Sequence, residues 1–275
     1  MRKKCLTSCL LALFALLLLI PGTNSENSLH HTSVSNQPFV LLTATLDGQL
    51  VALNSANGKR LWSFKEDPVV RTPPTGLHDF TFVPSPVDGS IYVLQDDSAY
   101  ELLYHSIPQL VHNSPCKSSG GVFYTGSKKG KWIGIDPQTG TRIEVYSSED
   151  SEHRMCPASK TNATVFIGRT QYSLSMHQST GHSPGQKGGR RWNITYIDYT
   201  ADVLPSDFIY NYRHFISPKS GRVVTVDSSG ENFWSVDFSS PVVAIYMLKD
   251  DLIYRLPNNK VGVVGEEILD GLIQP

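Results

Sequence analysis

A handful of places in this sequence carry residue types that can do chemistry. "GHSPG" at residues 181–185 has the G-x-S-x-G spacing of a serine nucleophile elbow. That turn uses the N–H of the residue after the serine as an oxyanion donor, and Pro184 has no N–H. Ser183 is therefore expected in a loop between strands. "GSKKGK" at residues 126–131 gathers glycine and lysine as a phosphate loop does. The G-x-x-x-x-G-K-[ST] spacing is missing and Trp132 follows Lys131, so a solvated hairpin tip is expected. Nine histidines occur, none in zinc spacing with a cysteine. Asp96-Asp97 and Asp250-Asp251 read as turn residues rather than acid/base pairs. The expectation is a chain with no catalytic residue, no metal and no cofactor of its own.

The elements that must position these residues are strands. "DGQLVALNSANGKRLW", beginning at Asp47, runs turn, alternating strand, turn, aromatic. It has echoes at Asp88 ("DGSIYVLQ"), Trp132 ("WIGIDPQTGTRIEV"), Tyr172 ("YSLSMHQSTG") and Val223 ("VVTVDSSGENFW"). Gly58, Gly140, Gly181 and Gly230 mark the turns, 82, 41 and 49 residues apart, so a unit of roughly 40 residues fits. Alternation of Leu50 and Ala52 with Val51 and Leu53 gives one face to a core. Asn57-Gly58 predicts a hairpin in which both residues take positive φ. Trp62 is placed to seal one layer on the next. Units this small cannot bury their own face, so they must stack. The fold class expected is all-β, a propeller-like, quinoprotein-type repeat of several sheets. Residues 204–210 and 266–272 are the only short helix candidates.

The chain opens "MRKKCLTSCLLALFALLLLIPGTNSE". Arg2, Lys3 and Lys4 precede an apolar run that Pro21 and Gly22 break, the pattern of a secretory signal peptide cleaved between residues 22 and 25. An uncleaved signal anchor is the alternative, and no further membrane span is expected. Residues 1–25 are read as signal peptide, 26–36 as polar linker and 37–275 as the β-repeat domain. Removing the leader takes 3 of 24 basic residues and leaves 21 against 25 acidic ones, which argues against nucleic acid as a partner. Residues 147–153, "SSEDSEH", read as an acidic loop. Entry into an oxidising compartment permits pairing of Cys116 and Cys156, or redox exchange, or two inert thiols. Asn162-Ala163-Thr164 and Asn193-Ile194-Thr195 become candidate glycosylation sites.

Longer strings go further. "TLDGQLVALNSANGKRLWSFKEDPVV", "IPQLVHNSPCKSSGGVFYTGSKKGKWIGIDPQTG", "FIGRTQYSLSMH", "RRWNITYIDYTADVLP" and "HFISPKSGRVVTVDSSGENFWSVDFSSPVVAIY" resemble the luminal sensor domain of the inositol-requiring transmembrane kinase/endoribonucleases of the unfolded protein response. The PERK-type stress kinase is the near alternative. The resemblance implies a β-sheet assembly in the endoplasmic reticulum lumen that senses unfolded polypeptides and associates with a luminal Hsp70 chaperone. It also implies dimerisation and then oligomerisation, to activate a cytosolic kinase and ribonuclease. ATP and magnesium would belong to that kinase, which this chain lacks. Carried over residue by residue, the dimer interface falls on Ser114, Pro115, Lys128 and Trp132. His112 and Gly130 depart from the family pattern, the latter by replacing an acid. Asn193 matches a family glycosylation position and is preferred to Asn162. Cys116 and Cys156 match family cysteines, which implies exchange with disulfide isomerases. A β-propeller-like binding scaffold is the second reading. A quinone-dependent enzyme would need more repeats and a ring of metal-binding acids.

Overall fold

A computed structural model describes residues 38–72, 81–95, 99–118, 121–147, 164–178, 190–206, 208–230, 233–257 and 259–260. All lie in one compact unit, Gln37–Pro275. The described residues form four sheets and one short helix, the all-β architecture expected.

The first sheet has five strands in the order β17 (Leu252–Arg255), β16 (Val242–Lys249), β1 (Val40–Thr45), β2 (Gln49–Asn54), β3 (Arg60–Lys65). Pairing of β1 with β16 joins the two ends of the domain. The second sheet runs β10 (Arg142–Ser147), β9 (Val122–Ile135), β11 (Val165–Gln178), β12 (Arg190–Thr200), β4 (Val70–Arg71), with β8 (Cys116–Lys117) also on β9. A third has β15 (Phe233–Asp237), β14 (Arg222–Asp227), β13 (Tyr212–Ile216) and β18 (Asn259–Lys260). The fourth is β5 (Thr81–Pro84), β6 (Ile91–Gln95) and β7 (Ala99–Leu102).

Alternation on β2 was expected to bury one face, and the structure buries both. Leu50 packs in a core with Ile133, Ile167 and Tyr196 of the second sheet, whereas Val51 and Leu53 pack with Ile216 and Val223 of the third. The first sheet is the middle layer of a three-layer stack, which is why "VVAIYMLK" in β16 is apolar on both parities.

The hairpin turns repeat one geometry. In residues 54–59 the N–H of Asn54 donates to Lys59 O and that of Gly58 to Asn54 O. The same pair of bonds closes residues 85–90, 136–141 and 217–222, each with glycine at positive φ in the next-to-last place. Only Gly58, not Asn57, takes positive φ: the loop has four residues, and Asn57 instead caps Lys59 N–H with its Oδ1. The matching turn in the third sheet belongs to Gly221, while Gly230 closes a separate turn after Asp227.

Two tryptophans latch these turns to neighbouring sheets. Trp62 Nε1 donates to Pro137 O at 2.8 Å, and its ring lies so close to Gly140 that a Cβ there would sit 2.5 Å from Cδ2. Trp234 Nε1 donates to Ser55 O at 2.9 Å, and a Cβ on Gly58 would sit 2.5 Å from its Cε3. Trp62 thus joins the first sheet to the second, and Trp234 the third to the first.

The remaining anchor is ionic. Glu66, only 7% exposed, meets Lys131 at 3.2 Å, Arg142 at 2.6 Å and Arg169 at 3.9 Å. Asp67 takes Arg169 at 3.1 Å and also pairs with Arg71. In the third sheet His214 is fully buried between Tyr210 Oη and Thr225 Oγ1, and desolvation lowers its pKa to about 4.

One helix expectation needs correction. Among the described residues of 204–210 there is no helix but a turn bonded from Phe208 N–H to Pro205 O, and Pro205 interrupts the run. Residues 266–272 lie outside the described residues. The helix that forms is α1, Ile107–Asn113, with Ser106 as N-cap and its N–H bonded to Gln109 Oε1 at 2.9 Å.

Candidate self-association edge

Residues 114–132 form one structural unit. α1 ends at Asn113, where Ser114 Oγ donates to Val111 O at 3.0 Å and accepts from Gly126 N–H at 3.1 Å. Ser114 therefore pins the end of the helix to the middle of β9. The Ser114–Pro115 bond is cis and turns the chain into β8.

Residues 126–131, expected at a hairpin tip, lie in the middle of this 14-residue strand. Their small and charged side chains are locally turn-like, but pairing with β11 from Val122↔Gln178 to Ile135↔Val165 overrides that preference. Burial changes face along β9. Tyr124 is buried at one end, and Ile133 and Ile135, of the opposite parity, at the other. Twist carries the strand from one core face to the other, and Ser127 and Lys128 lie exposed at the crossover.

On the edge of β9 away from β11, β8 takes Phe123 and Tyr124, and β10 takes Lys131 to Ile135. Ser127 and Lys128 lie between those partners. Lys128 and Trp132, four residues apart, share a face. Lys128 Nζ stands 6.0 Å from the centroid of the Tyr172 ring. Trp132 is 47% exposed; a Cβ on Gly168 would come 2.8 Å from its Cζ3, so one side of the indole rests on β11 while the rest faces solvent. Burial raises the Tyr172 phenol above its ordinary range, as does the charge of Asp198. Asp198 is itself raised by burial, against the pull of Arg255. β9 carries Lys128, Lys129 and Lys131 and no acidic residue; Lys131 is paired with Glu66. An exposed aromatic beside a strand edge is suited to pairing with another chain.

The other expected site residues are dispersed. Cys116, on β8, is a half-buried free thiol, and Cys156 lies outside the described residues. Asn193, on β12, is exposed; its Oδ1 accepts from Ser175 Oγ at 2.7 Å and Arg191 Nε at 3.3 Å. Asn162, Ser183 and the Asp96-Asp97 pair lie outside the described residues. Asp250 and Asp251 take φ of 51° and 62° in the two-residue turn between β16 and β17, the turn role expected. Among the described residues, no three His, Cys, Asp or Glu side chains are grouped to hold a metal ion, and no helix is long and apolar enough to cross a membrane. Sequence reasoning missed the Glu66–Asp67 clamp. Its one signal was an adjacent acidic pair directly after an amphipathic strand.

Residues 24–214 match the family model described as "Outer membrane protein assembly factor BamB". The chain belongs to that repeat family. Among its curated relatives are kinase/endoribonucleases. The serine/threonine-protein kinase/endoribonuclease ire-1 of Caenorhabditis elegans is 39% identical over 253 residues, 92% of this chain and 25% of the relative. The human serine/threonine-protein kinase/endoribonuclease IRE2 is 35% identical over 223 residues, 80% of this chain and 22% of the relative. This chain thus spans about a quarter of the length of the curated relatives it matches. The solved structure of the compact lumenal domain of yeast Ire1 has the same fold, with a TM-score of 0.61 over 82% of this chain and 78% of that one at 22% identity. The resemblance expected from the strings is therefore a homology to the IRE1 proteins over about a quarter of their length, with the fold of a solved lumenal domain beside it.

Proposed function

We propose that this IRE1 homologue is the stress-sensing luminal portion of an endoplasmic reticulum membrane protein. It detects unfolded polypeptides, directly or through release of a luminal Hsp70 chaperone. It then self-associates, dimer first and oligomer after, to activate a cytosolic kinase and endoribonuclease carried by the rest of the parent. The observation that carries this reading is the 39% identity to a kinase/endoribonuclease over 92% of the chain, with the fold of a lumenal domain beside it. The chain itself has no enzymatic role, and ATP and magnesium act in the parent's kinase. The dimer forms at the β9 edge, where Lys128 and Trp132 lie exposed and Ser114 and Pro115 set the adjoining α1–β8 turn. Gly130 offers no carboxylate to a partner's lysine, so strand pairing and burial of Trp132 dominate; an exposed ion pair there is worth only about 0–1 kcal/mol. The leader is cleaved, Asn193 bears a glycan in preference to Asn162, and Cys116 and Cys156 exchange with disulfide isomerases in the lumen.

The test is sedimentation of residues 26–275 from micromolar to high micromolar concentration. A reversible monomer–dimer equilibrium is expected. Trp132→Ala weakens it at least tenfold, as truncation of a central aromatic anchor does (about 2 kcal/mol). A folded protein that stays monomeric throughout refutes the reading.

A further inference from the structure

The face of β9, β11 and β12 opposite Lys128 and Trp132 carries a second exposed array, around Asn193. Registers align Lys117 of β8, Phe123 of β9, His177 of β11 and Arg191 of β12 in one cross-strand row. The next row is Thr125, Ser175 and Asn193, and the one after it Ser127, Ser173 and Thr195, ending on Arg71 of β4. This end of the face is a floor of hydroxyls beside a row in which Phe123 and His177 lie between Lys117 and Arg191, with no carboxylate on those β8, β9, β11 and β12 positions. Phe123 is 41% exposed and lies 6.5 Å from the His177 ring, centroid to centroid. Asn193 has its carbonyl held by Ser175 and Arg191, which leaves its amide Nδ2 as the atom not engaged by that pair.

We propose that this face is a seat for the first two sugars of an Asn193-linked glycan, which pack across His177 onto Phe123. The inference rests on the reading above that the chain enters the lumen and that Asn193 is modified there. In that modification the Asn193 Nδ2 displaces a polyprenyl diphosphate from C1 of an N-acetylglucosamine: the N–C1 bond forms, the C1–O bond breaks, and one amide proton leaves. The geometry adds what the sequon does not, a place for the sugar to lie. Strands spaced about 4.8 Å apart and rows about 6.6 Å apart put Phe123 about 12 Å from Asn193, within reach of a disaccharide that rises from the sheet. The apolar face of a pyranose suits an exposed ring, and its hydroxyls suit the Thr125–Ser175 and Ser173–Thr195 rows. A glycan seated here covers this face and leaves the opposite one, with Lys128 and Trp132, open.

The test uses residues 26–275 with Asn162→Gln, so that one sequon remains, secreted from a eukaryotic host and also made without glycan in bacteria. Mass spectrometry reads occupancy, and thermal melts compare the intact glycoprotein, a form trimmed to a single N-acetylglucosamine, and the bare chain. The intact form is expected to melt about 2–4 °C above the bare chain, the trimmed form between them. With Phe123→Ala in both hosts, that gap should close while both proteins still fold. An unmodified Asn193, equal melting temperatures, or a gap that survives Phe123→Ala each overturns the proposal. None of these outcomes bears on dimerisation, which the sedimentation experiment decides separately.

Discussion

Replacing Gly140 by alanine perturbs the Trp62 latch at its closest point. Gly140 has φ of 72°, where an L side chain costs about 1–2 kcal/mol. The added Cβ would sit 2.5 Å from Trp62 Cδ2 and 2.8 Å from Cε3, well inside contact distance, so the indole must shift. A shifted indole loses the 2.8 Å bond from Nε1 to Pro137 O, worth about 1 kcal/mol. Together with lost ring packing, Gly140→Ala should cost about 3–4 kcal/mol in the wild-type background. In a Trp62→Ala background nothing remains to collide with, and the same change should cost only the backbone term, about 1–2 kcal/mol. Urea denaturation of the four proteins gives the cycle, with coupling of about 2 kcal/mol expected at constant m value. If Gly140→Ala costs the same in both backgrounds, the ring does not seat on the turn and the latch is wrong.

Other tests follow from the same geometry. His214 is held near pKa 4 in the folded chain against 6.5 when unfolded, so the unfolded state binds the extra proton between those values. Its contribution, about 3 kcal/mol, is full above pH 6.5 and is lost as pH falls towards 4; urea midpoints should drop across that window and His214→Asn should flatten the slope. Glu66→Gln removes a carboxylate only 7% exposed and leaves Arg169, itself 6% exposed, to Asp67 alone, which should cost about 1–2 kcal/mol, with Arg142 contributing little because it is 40% exposed; a change under 0.5 kcal/mol would contradict the clamp. Lys128→Glu, on an exposed edge, should leave the melting temperature within about 1–2 °C of wild type while changing the sedimentation equilibrium, whereas a large thermal loss would place Lys128 in the fold rather than at an interface.

Much of the fold could be read locally. The turns at Gly58 and Gly140 and Trp62 as a layer seal are short-range patterns, and the structure bears them out. Ser106, Pro108 and Gln109 also formed a readable helix start, overlooked because seven residues carry too little 3.6-residue periodicity to register. The misplacement of residues 126–131 has a different cause. Nothing within "GSKKGK" distinguishes a hairpin tip from a strand; its partner, residues 169–174, is about forty positions away. Burial of both faces of β2 was hidden for the same reason, since it depends on where two other sheets lie. Of the candidate edge, sequence pointed to Lys128 and Trp132 only through family likeness. Exposure of Trp132 comes from the twist that moves the core across β9, and no residue count encodes that.

The latches and the β1–β16 pairing together set a clock for the chain as it is made. Trp234 reaches back to Ser55, and Ser240 Oγ accepts from the N–H of Asp47, across 179 and 193 residues. The first hairpin to emerge therefore cannot be completed until nearly the whole domain has followed it. At about 5–20 residues per second, those last partners arrive roughly 10–40 s after the residues that wait for them. Throughout that interval β1 and β2 present apolar side chains and β1 an edge that awaits β16, so the nascent chain displays the same kind of surface that marks an unfolded protein.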